Sequence, residues 1–317
     1  MSRIPSLPLA LLLIGLSAAP ASAEVQTLLD NDSNGFVPGP ATTDRNYTQG
    51  LRLNYFGAPN GLPARVRALA DRLPGFHVAG EERQFGISIG QEIYTPDAIS
   101  RPKAIPDDRP YAGWAFAAGL LTARGERVTR SLEVQLGAIG DDSQAAVVQR
   151  WWHRELGIRA PQGWPNQLRD EPGLVVSYQE RHRPWGRRDI VDFVPHAGVT
   201  LGNVHTEANA GGTLRVGLPL PDDFGPWRAA PAPARERFAL SLFARAEGRA
   251  VARNIFLDGN TFTSSLRVHR VPWVGEAQLG AAARWHGAGL RYTFTYTTRE
   301  FRERPLAQEY GSFTLSF

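Results

Sequence analysis

Apolar and polar side chains alternate with a period of two along several stretches of the chain. The pattern is clearest over residues 132–138, 240–249, 276–285 and 290–297. Such alternation predicts β-strands that have one apolar and one polar face. A soluble sandwich would turn its polar face to water, whereas a membrane barrel would line its lumen with that face. Alternation alone therefore leaves both all-β architectures open.

Twelve segments of the chain are candidate strands. They are residues 24–32, 47–56, 83–93, 110–123, 128–140, 172–182, 188–202, 208–217, 236–256, 271–285, 287–299 and 309–317. In bacterial outer-membrane barrels an even number of strands places both termini on the periplasmic side. The even count therefore favours a transmembrane antiparallel β-barrel of about 12 strands.

The connections between these segments differ in length as a membrane barrel requires. Short periplasmic turns are predicted at residues 124–127, 182–187 and 286–287. Longer external loops are predicted at residues 33–46, 94–109, 141–171 and 257–270. Two long connections fall on the periplasmic side instead. They are residues 57–82, with a helix predicted around Pro63–Leu73, and the Pro-rich stretch 218–235.

Both ends of the chain carry features of an exported barrel. Arg3 precedes an apolar stretch over Leu7–Ala19, and an Ala-Ser-Ala cleavage pattern follows it. These features predict a signal peptide over residues 1–23. The last segment alternates and ends in Phe317, which resembles the C-terminal signature of outer-membrane barrels. We therefore expect one barrel domain, residues 24–317, in a bacterial outer membrane.

Composition narrows the possible functions. The absence of Cys excludes a disulfide framework, a thiol nucleophile and a thiolate metal site. A mean hydropathy of −0.29 with 10% aromatic residues suits a barrel that is polar inside and apolar outside. A pI of 9.7 suits anionic lipid, and no nucleic-acid partner is expected for an exported chain.

Polar residues gather where the first strands reach the external loops. Asn31 and Asp32 close the first candidate strand, and Thr48 lies at the start of the second. Ca²⁺ prefers carboxylate and carbonyl oxygens, which Asp32 and its neighbours could supply. The same residues are also common in ordinary turns, so on their own they leave a structural role open.

A helix is predicted in the long loop after the fifth strand. Asp141-Asp142-Ser143 is a plausible N-cap, and Gly157 fits the helix C-terminus. Gln149 and His153 are four residues apart and therefore share one helix face. A His can accept a proton from water, and a cation can stabilise an oxyanion, so the set suggests metal-assisted ester hydrolysis. We interpret the remaining aromatic residues of this loop as interfacial: Trp151, Trp152 and Trp164.

Taken together, these segments resemble the lipid A 3′-O-deacylase (LpxR) family of outer-membrane enzymes. The similar blocks are Asn31-Asp32, Asp44-Arg45 with Tyr47–Leu51, Gln91–Pro96, Asp108–Gly113, Gln149 with His153, Gly163-Trp164 with Asn166-Gln167, Pro195–Gly198 with Leu201–Asn203, and Thr298–Phe301. The blocks run along nearly the whole mature chain. They are specific only in combination.

The resemblance implies a twelve-stranded barrel and a Ca²⁺-dependent enzyme that removes the acyloxyacyl chain from the 3′ position of lipid A. It implies that His153 is the general base, with Gln149 one turn earlier in the active site. By the same resemblance, Asn31 and Thr48 belong to the catalytic or oxyanion surroundings and Asp32 to the calcium site. The partners implied are lipid A or lipopolysaccharide, and we expect a monomer with its active site facing outside the cell.

The chain departs from the family pattern at two places. Some members carry an acidic residue six positions after the catalytic His, where this chain has Arg159. Members also carry a Lys after the Tyr-Thr/Ser-Pro motif. Arg101 and Lys103 are the candidates here for holding a lipid A phosphate.

Two other functions remain open from the sequence. An outer-membrane phospholipase A also uses a calcium-dependent twelve-stranded barrel, but with a Ser–His–Asn arrangement. Ser33-Asn34-Gly35 is suggestive, yet no His precedes Ser33 at the spacing which that family uses. A non-enzymatic pore or adhesin is the third possibility, because Arg and Glu residues in the lumen could line a channel or fill it with ion pairs.

Overall fold

A computed structural model describes residues 23–35, 44–76, 78–185, 190–228, 230–231, 238–304 and 307–317. Residues 1–22 of the predicted signal peptide lie outside the described residues. So do the middle of the predicted external loop 33–46 and the first residues of the predicted strand 188–202.

Twelve antiparallel strands form a closed barrel in which β1 pairs with both β2 and β12. The strands are β1 Glu24–Asn31, β2 Asn46–Phe56, β3 Glu82–Thr95, β4 Ala112–Arg124, β5 Val128–Ile139, β6 Glu171–His182, β7 Val191–Gly202, β8 His205–Gly217, β9 Phe238–Asn254, β10 Trp273–Trp285, β11 Ala288–Thr297 and β12 Gln308–Ser316. The predicted twelve-stranded barrel is confirmed. Each observed strand overlaps its predicted segment.

The two faces of the strands differ as the alternation predicts. Outward-facing Leu and Ile side chains such as Ile89, Leu136 and Leu242 are exposed and form an apolar outer surface. The lumen holds ion pairs instead, among them Arg52–Glu133 at 2.8 Å and Arg249–Glu276 at 3.2 Å. An apolar exterior and a charged interior are the arrangement of a membrane barrel, which resolves the choice left open by periodicity.

The barrel has two distinct ends. At one, here called the terminal end, the backbone N–H of Val25 donates to the carbonyl of Phe317 at 3.0 Å. The opposite end, here called the loop end, carries the long connections that follow β1, β3, β5, β9 and β11. The pattern of short turns and long loops agrees with the predicted alternation.

Three α-helices lie in the described parts of the connections. α1, Ala64–Ala70, follows β2 at the terminal end, where a helix was expected. α2, Ala145–Leu156, follows β5 at the loop end, and α3, Ile255–Asp258, follows β9. None of the helices in the described part of the chain is both long and apolar enough to cross a bilayer.

The start of α2 differs from the expected N-cap. Residues 141–143 form a separate 3₁₀ turn, and Gln144 then adopts a left-handed conformation with φ of 57°. The α-helix begins only at Ala145, with no side-chain cap bond at Gln144. The turn re-aims the chain so that the helix folds back onto the barrel wall. The C-terminus at Gly157, with φ of 67°, is as predicted.

The connection between β8 and β9 enters the lumen from the terminal end. We call residues 220–228 the plug segment. Leu220 and Phe224 are buried, and the Trp227 ring lies 4.4 Å from the Arg245 guanidinium of the barrel wall. Above it, toward the loop end, an internal cavity of about 300 Å³ is lined by charged and aromatic side chains.

Candidate active site

The α2 helix lies on the outer face of the barrel, against β3 and β4. Trp114 and Phe116 of β4 face the lumen. Gly113 directly precedes Trp114, and because neighbouring residues of a strand face opposite ways, Gly113 faces outward. A Cβ atom on Gly113 would lie 2.0 Å from the Ser143 hydroxyl and 2.3 Å from the Ala145 Cβ. The missing side chain therefore lets the helix N-terminus touch the wall.

A compact apolar cluster fastens this helix. Its members are Ile93, Ile99, Tyr111, Ala145, Ala146 and Trp164, all buried. They come from β3, the loop after it, α2 and the segment after α2. Burying them together fixes the inward face of α2, which is the face that carries Gln149 and His153.

His153 is held between two acceptors. Its Nε2 lies 2.8 Å from Asp44 Oδ2, and its Nδ1 lies 2.6 Å from the backbone carbonyl of Arg159. The residue is only 4% exposed. A carbonyl accepts but cannot donate, so Nδ1 carries a proton. A carboxylate also accepts, so the imidazolium form satisfies both contacts.

The electrostatics of His153 agree with this geometry. The hydrogen bond to Asp44 raises the pKa of His153 above its ordinary value of 6.5, and burial opposes that rise. The carbonyl of Arg159 and the charge of Asp32 raise the pKa further. The imidazole is therefore a stronger base than a free His.

Asp44 is the partner that sequence reasoning missed. It was noted as part of a similar block, but it received no role. Its contact with His153 joins two loops that are far apart in the chain, and no local spacing reveals such a contact. Arg159, at which the chain departs from the family pattern, also contacts His153. Its backbone carbonyl, which any residue would supply, accepts the hydrogen bond from Nδ1.

Gln149 is buried one helix turn before His153. Its Oε1 accepts a hydrogen bond of 2.8 Å from the Trp164 indole N–H. The amide nitrogen Nε2 is also buried and has no hydrogen-bond partner among the described residues. The prediction that Trp164 is an interfacial aromatic is therefore wrong. Trp164 is a buried side chain that sets the orientation of the Gln149 amide.

Asn31, Asp32 and Thr48 lie together at the end of β1 and the start of β2. The amide of Asn31 donates to the Thr48 carbonyl at 3.3 Å, and Asp32 Oδ2 accepts from the Arg45 backbone N–H at 2.9 Å. The Thr48 hydroxyl is 2.7 Å from that of Thr95. Because Arg45 adjoins Asp44, these residues connect directly to His153.

The donor set suits a hard cation in its chemistry. Asp32 supplies a buried carboxylate, whereas the amide oxygen of Asn31 beside it already accepts hydrogen bonds from Ser33. Within the described ranges, no group of three or more His or acidic side chains could hold a metal ion. Asp32 could therefore hold Ca²⁺ only with further oxygens from backbone, water or substrate.

Arg101 and Lys103 are exposed on the loop between β3 and β4. This loop is tied to the segment after α2, because the Asn166 amide donates to the Pro102 carbonyl at 2.8 Å and the Gln162 N–H donates to the Ile99 carbonyl at 2.8 Å. Both cations therefore lie on the same assembly of loops as α2, with their side chains in solvent.

Known proteins are similar to this chain in sequence and fold. The sequence matches the family model described as outer membrane protein LpxR over residues 7–317. LpxR from Salmonella typhimurium is 22% identical with a TM-score of 0.76, and the match covers 93% of this chain and 99% of that one.

More distant barrels are also similar. The β domain of the Bordetella autotransporter BrkA is 12% identical with a TM-score of 0.44, covering 93% of this chain and 97% of that one. The Pseudomonas putida toluene transporter TodX is 10% identical with a TM-score of 0.36, covering 94% and 89%. No curated protein matches the chain. The family match spans almost the whole sequence, and the chain therefore belongs to the LpxR family of outer membrane proteins.

Proposed function

We propose that this protein is a lipid A deacylase that hydrolyses the ester of the 3′-linked acyloxyacyl chain with water. The observation that carries the proposal is His153, buried on the outer face of the barrel between Asp44 and the Arg159 carbonyl. Family membership supplies the substrate class. A base with fixed ring orientation supplies the chemistry.

The two nitrogens of His153 take different roles in this proposal. Nδ1 keeps its proton and donates a hydrogen bond to the Arg159 carbonyl, which holds the ring in one tautomer. Nε2 is then the atom that accepts the proton from water once the imidazole is neutral. Asp44 occupies that atom in the free protein, so water and substrate must displace it.

Other residues would stabilise the developing charge. The free N–H donor of the Gln149 amide lies on the same helix face as His153 and is suited to an ester or oxyanion oxygen. Asp32 would hold Ca²⁺, which would act as a Lewis acid when bound, and Asn31 and Thr48 would belong to the catalytic or oxyanion surroundings. The carboxylate of Asp32 would hold the Ca²⁺ ion near His153, the proposed general base.

The position of the site suits a lipid substrate. Because α2 lies outside the barrel wall, an acyl chain can reach His153 from the bilayer without passing through the lumen. In this proposal the loop end faces the cell exterior, where lipid A forms the outer leaflet. Arg101 and Lys103 would then meet the phosphates of lipid A. We expect the enzyme to act as a monomer.

The phospholipase alternative has less support. Ser33 is exposed, and its hydroxyl bonds to Asn31 Oδ1 rather than to a His. A serine nucleophile needs an adjacent base within hydrogen-bond reach. Ser33 therefore lacks the arrangement that would activate it.

The test uses the purified barrel folded in detergent, hexa-acylated lipid A and Ca²⁺, with products read by mass spectrometry. We expect loss of one 3′ acyloxyacyl mass, absent with His153→Ala and with EDTA, and restored when Ca²⁺ is returned. Restoration by Mg²⁺ alone would overturn the choice of metal. An unchanged lipid A mass with a demonstrably folded barrel would reject the deacylase, and phospholipid would then be the next substrate.

A further inference from the structure

We propose that the plug segment, residues 220–228, braces the barrel wall behind the candidate site, and that Arg228 is the positioning residue that does so. The inference rests on the proposed function for its catalytic consequence. Its structural content is that a connection from the terminal end controls the geometry of the β1 and β2 ends at the other end of the barrel.

Lumen side chains anchor the plug segment at several points. Arg183 contacts Asp222 at 3.1 Å, and its guanidinium stacks on the Phe224 ring at 4.3 Å. The Trp227 carbonyl accepts from Arg291 at 2.9 Å. These contacts satisfy both charges and backbone groups of the segment inside the barrel, so it is a packed part of the interior rather than a solvated loop.

Arg228 projects from the anchored segment to the inner face of β1 and β2. Its guanidinium pairs with the Asp30 carboxylate and donates to the Tyr47 hydroxyl at 2.9 Å. Tyr47 also donates to Asp30 at 2.6 Å, so the three side chains form a closed triangle. Asp30 is 1% exposed, and Arg228 is the cation paired with it.

The triangle of Arg228, Asp30 and Tyr47 lies on the lumen side of the barrel wall, directly opposite the candidate site on the outer side. Successive residues of a strand point to opposite faces of the sheet. Asp30 faces the lumen and its neighbour Asn31 faces outward. A bulge between Tyr47 and Gln49 turns Thr48 to the outer side while Tyr47 stays inside. Any displacement of Asp30 or Tyr47 therefore moves Asn31 or Thr48 through a single peptide bond.

Gly50 shows that the wall is built around this triangle. A Cβ atom at Gly50 would lie 1.9 Å from the Tyr47 hydroxyl and 2.9 Å from Asp30 Oδ2. Only a residue without a side chain leaves room for the Tyr47 ring to cross its own strand and reach Asp30. The outer site does not require a glycine at position 50. Gly50 is therefore independent evidence for the contact between Tyr47 and Asp30 inside the barrel.

Loss of the guanidinium leaves a buried carboxylate without its counter-ion, which favours protonation of Asp30 or displacement of the β1 end toward water. For Arg228→Gln we expect kcat to fall by about tenfold or more with KM nearly unchanged, because small misplacements of catalytic groups slow chemistry more than binding. Arg228→Lys keeps the charge and should recover most of the loss.

The experiment measures kcat and KM on lipid A for wild type, Arg228→Gln, Arg228→Lys and the matched control Arg245→Gln. Arg245 contacts the same plug tryptophan but not Asp30, so its variant should retain wild-type kcat. All values are normalised to the folded fraction, read from the heat-dependent gel shift of the barrel. Equal kcat for Arg228→Gln and wild type would overturn the inference.

Hydrogen–deuterium exchange on the same proteins gives an answer that does not need the enzyme assay. Arg228→Gln should accelerate exchange in residues 28–33 and 46–50, and Arg245→Gln should not. If wild type has no activity on lipid A, the proposed function fails while this comparison still decides the brace. Unchanged exchange at those residues in Arg228→Gln would reject it.

Discussion

At the scale of single residues, His153 owes its state to the two acceptors that flank it. Asp44 and the Arg159 carbonyl both favour the imidazolium form of the group that is proposed to act as base. Catalysis then requires pH above the raised pKa of His153. Asp44 thus controls both the orientation and the protonation of the base.

The first prediction concerns pH. Because only neutral His153 can accept a proton, the acid limb of kcat/KM should lie above pH 6.5 in wild type. Asp44→Asn removes the carboxylate whose hydrogen bond and charge raise the pKa of His153, so the limb should move to lower pH. Full pH profiles of both proteins measure this. Asp142→Asn, which changes an exposed carboxylate of the loop that carries His153, is the control. A limb that stays in place in Asp44→Asn would contradict the assignment.

The second residue-scale prediction concerns Trp164. Its indole N–H fixes the oxygen end of the Gln149 amide and so leaves the nitrogen end free. Trp164→Phe keeps an aromatic ring but loses the donor, at a cost of about 1 kcal/mol for the hydrogen bond. We expect kcat to drop several-fold, because the amide can then rotate. Trp151→Phe, on the more exposed side of α2, should leave kcat unchanged.

At the scale of elements, the site depends on how closely α2 lies on the barrel. Gly113 on β4 is the contact point, and Ser143 and Ala145 occupy the space that a side chain would need. The Ser143 carbonyl also accepts from the Gln91 amide of β3 at 2.7 Å. The helix is therefore positioned by the wall, not by its own weak N-cap.

The third prediction follows from that contact. Gly113→Ala should push the start of α2 off the wall at a cost of about 1–3 kcal/mol, as overpacking does, and lower deacylation strongly. The heat-dependent gel shift should show that the barrel still forms. Gly119→Ala, on the same strand and face, meets nothing closer than 3.7 Å and should behave as wild type. Equal losses in the two variants would show that α2 docking is not the cause.

At the scale of the whole molecule, the described part of the lumen holds charged side chains and the plug segment around an internal cavity of about 300 Å³. The plug segment enters at the terminal end, and ion pairs lie along the wall of the lumen, among them Arg245–Glu247 within β9 at 2.5 Å and Arg52–Glu133 between β2 and β5 at 2.8 Å. Many of the charged lumen side chains that left a channel possible in the sequence are thus paired with one another. The interior braces the wall on which the outer site is built.

The fourth prediction tests this sealing. Wild-type protein in a planar bilayer should give no ion conductance, because the bore is occupied. A variant in which residues 221–228 are replaced by Gly and Ser should show discrete conductance steps if it still inserts. Steady wild-type channels would revive the pore alternative, and they would contradict the packed interior described above.

Much of this protein was predictable from its sequence because the relevant physics is local. A strand of a membrane barrel must alternate between lipid and lumen, so the number of strands, their approximate bounds and the long loops follow from periodicity. The helix carrying Gln149 and His153 was also readable, since their spacing of four sets one face. The first turn of that helix was not, because Gly113 and the wall, rather than local capping, determine it.

The tertiary structure alone decided which distant residues meet. Three contacts between distant segments illustrate this: Asp44 with His153, Trp164 with Gln149, and Arg228 with Asp30. No periodicity or motif in the sequence links the two residues of any of these pairs. It also decided that the candidate site lies on the outer face of the barrel wall and that the plug segment lies inside the barrel. Alternation states that neighbouring residues face opposite ways, but only closure of the barrel and docking of its loops determine what each face contacts.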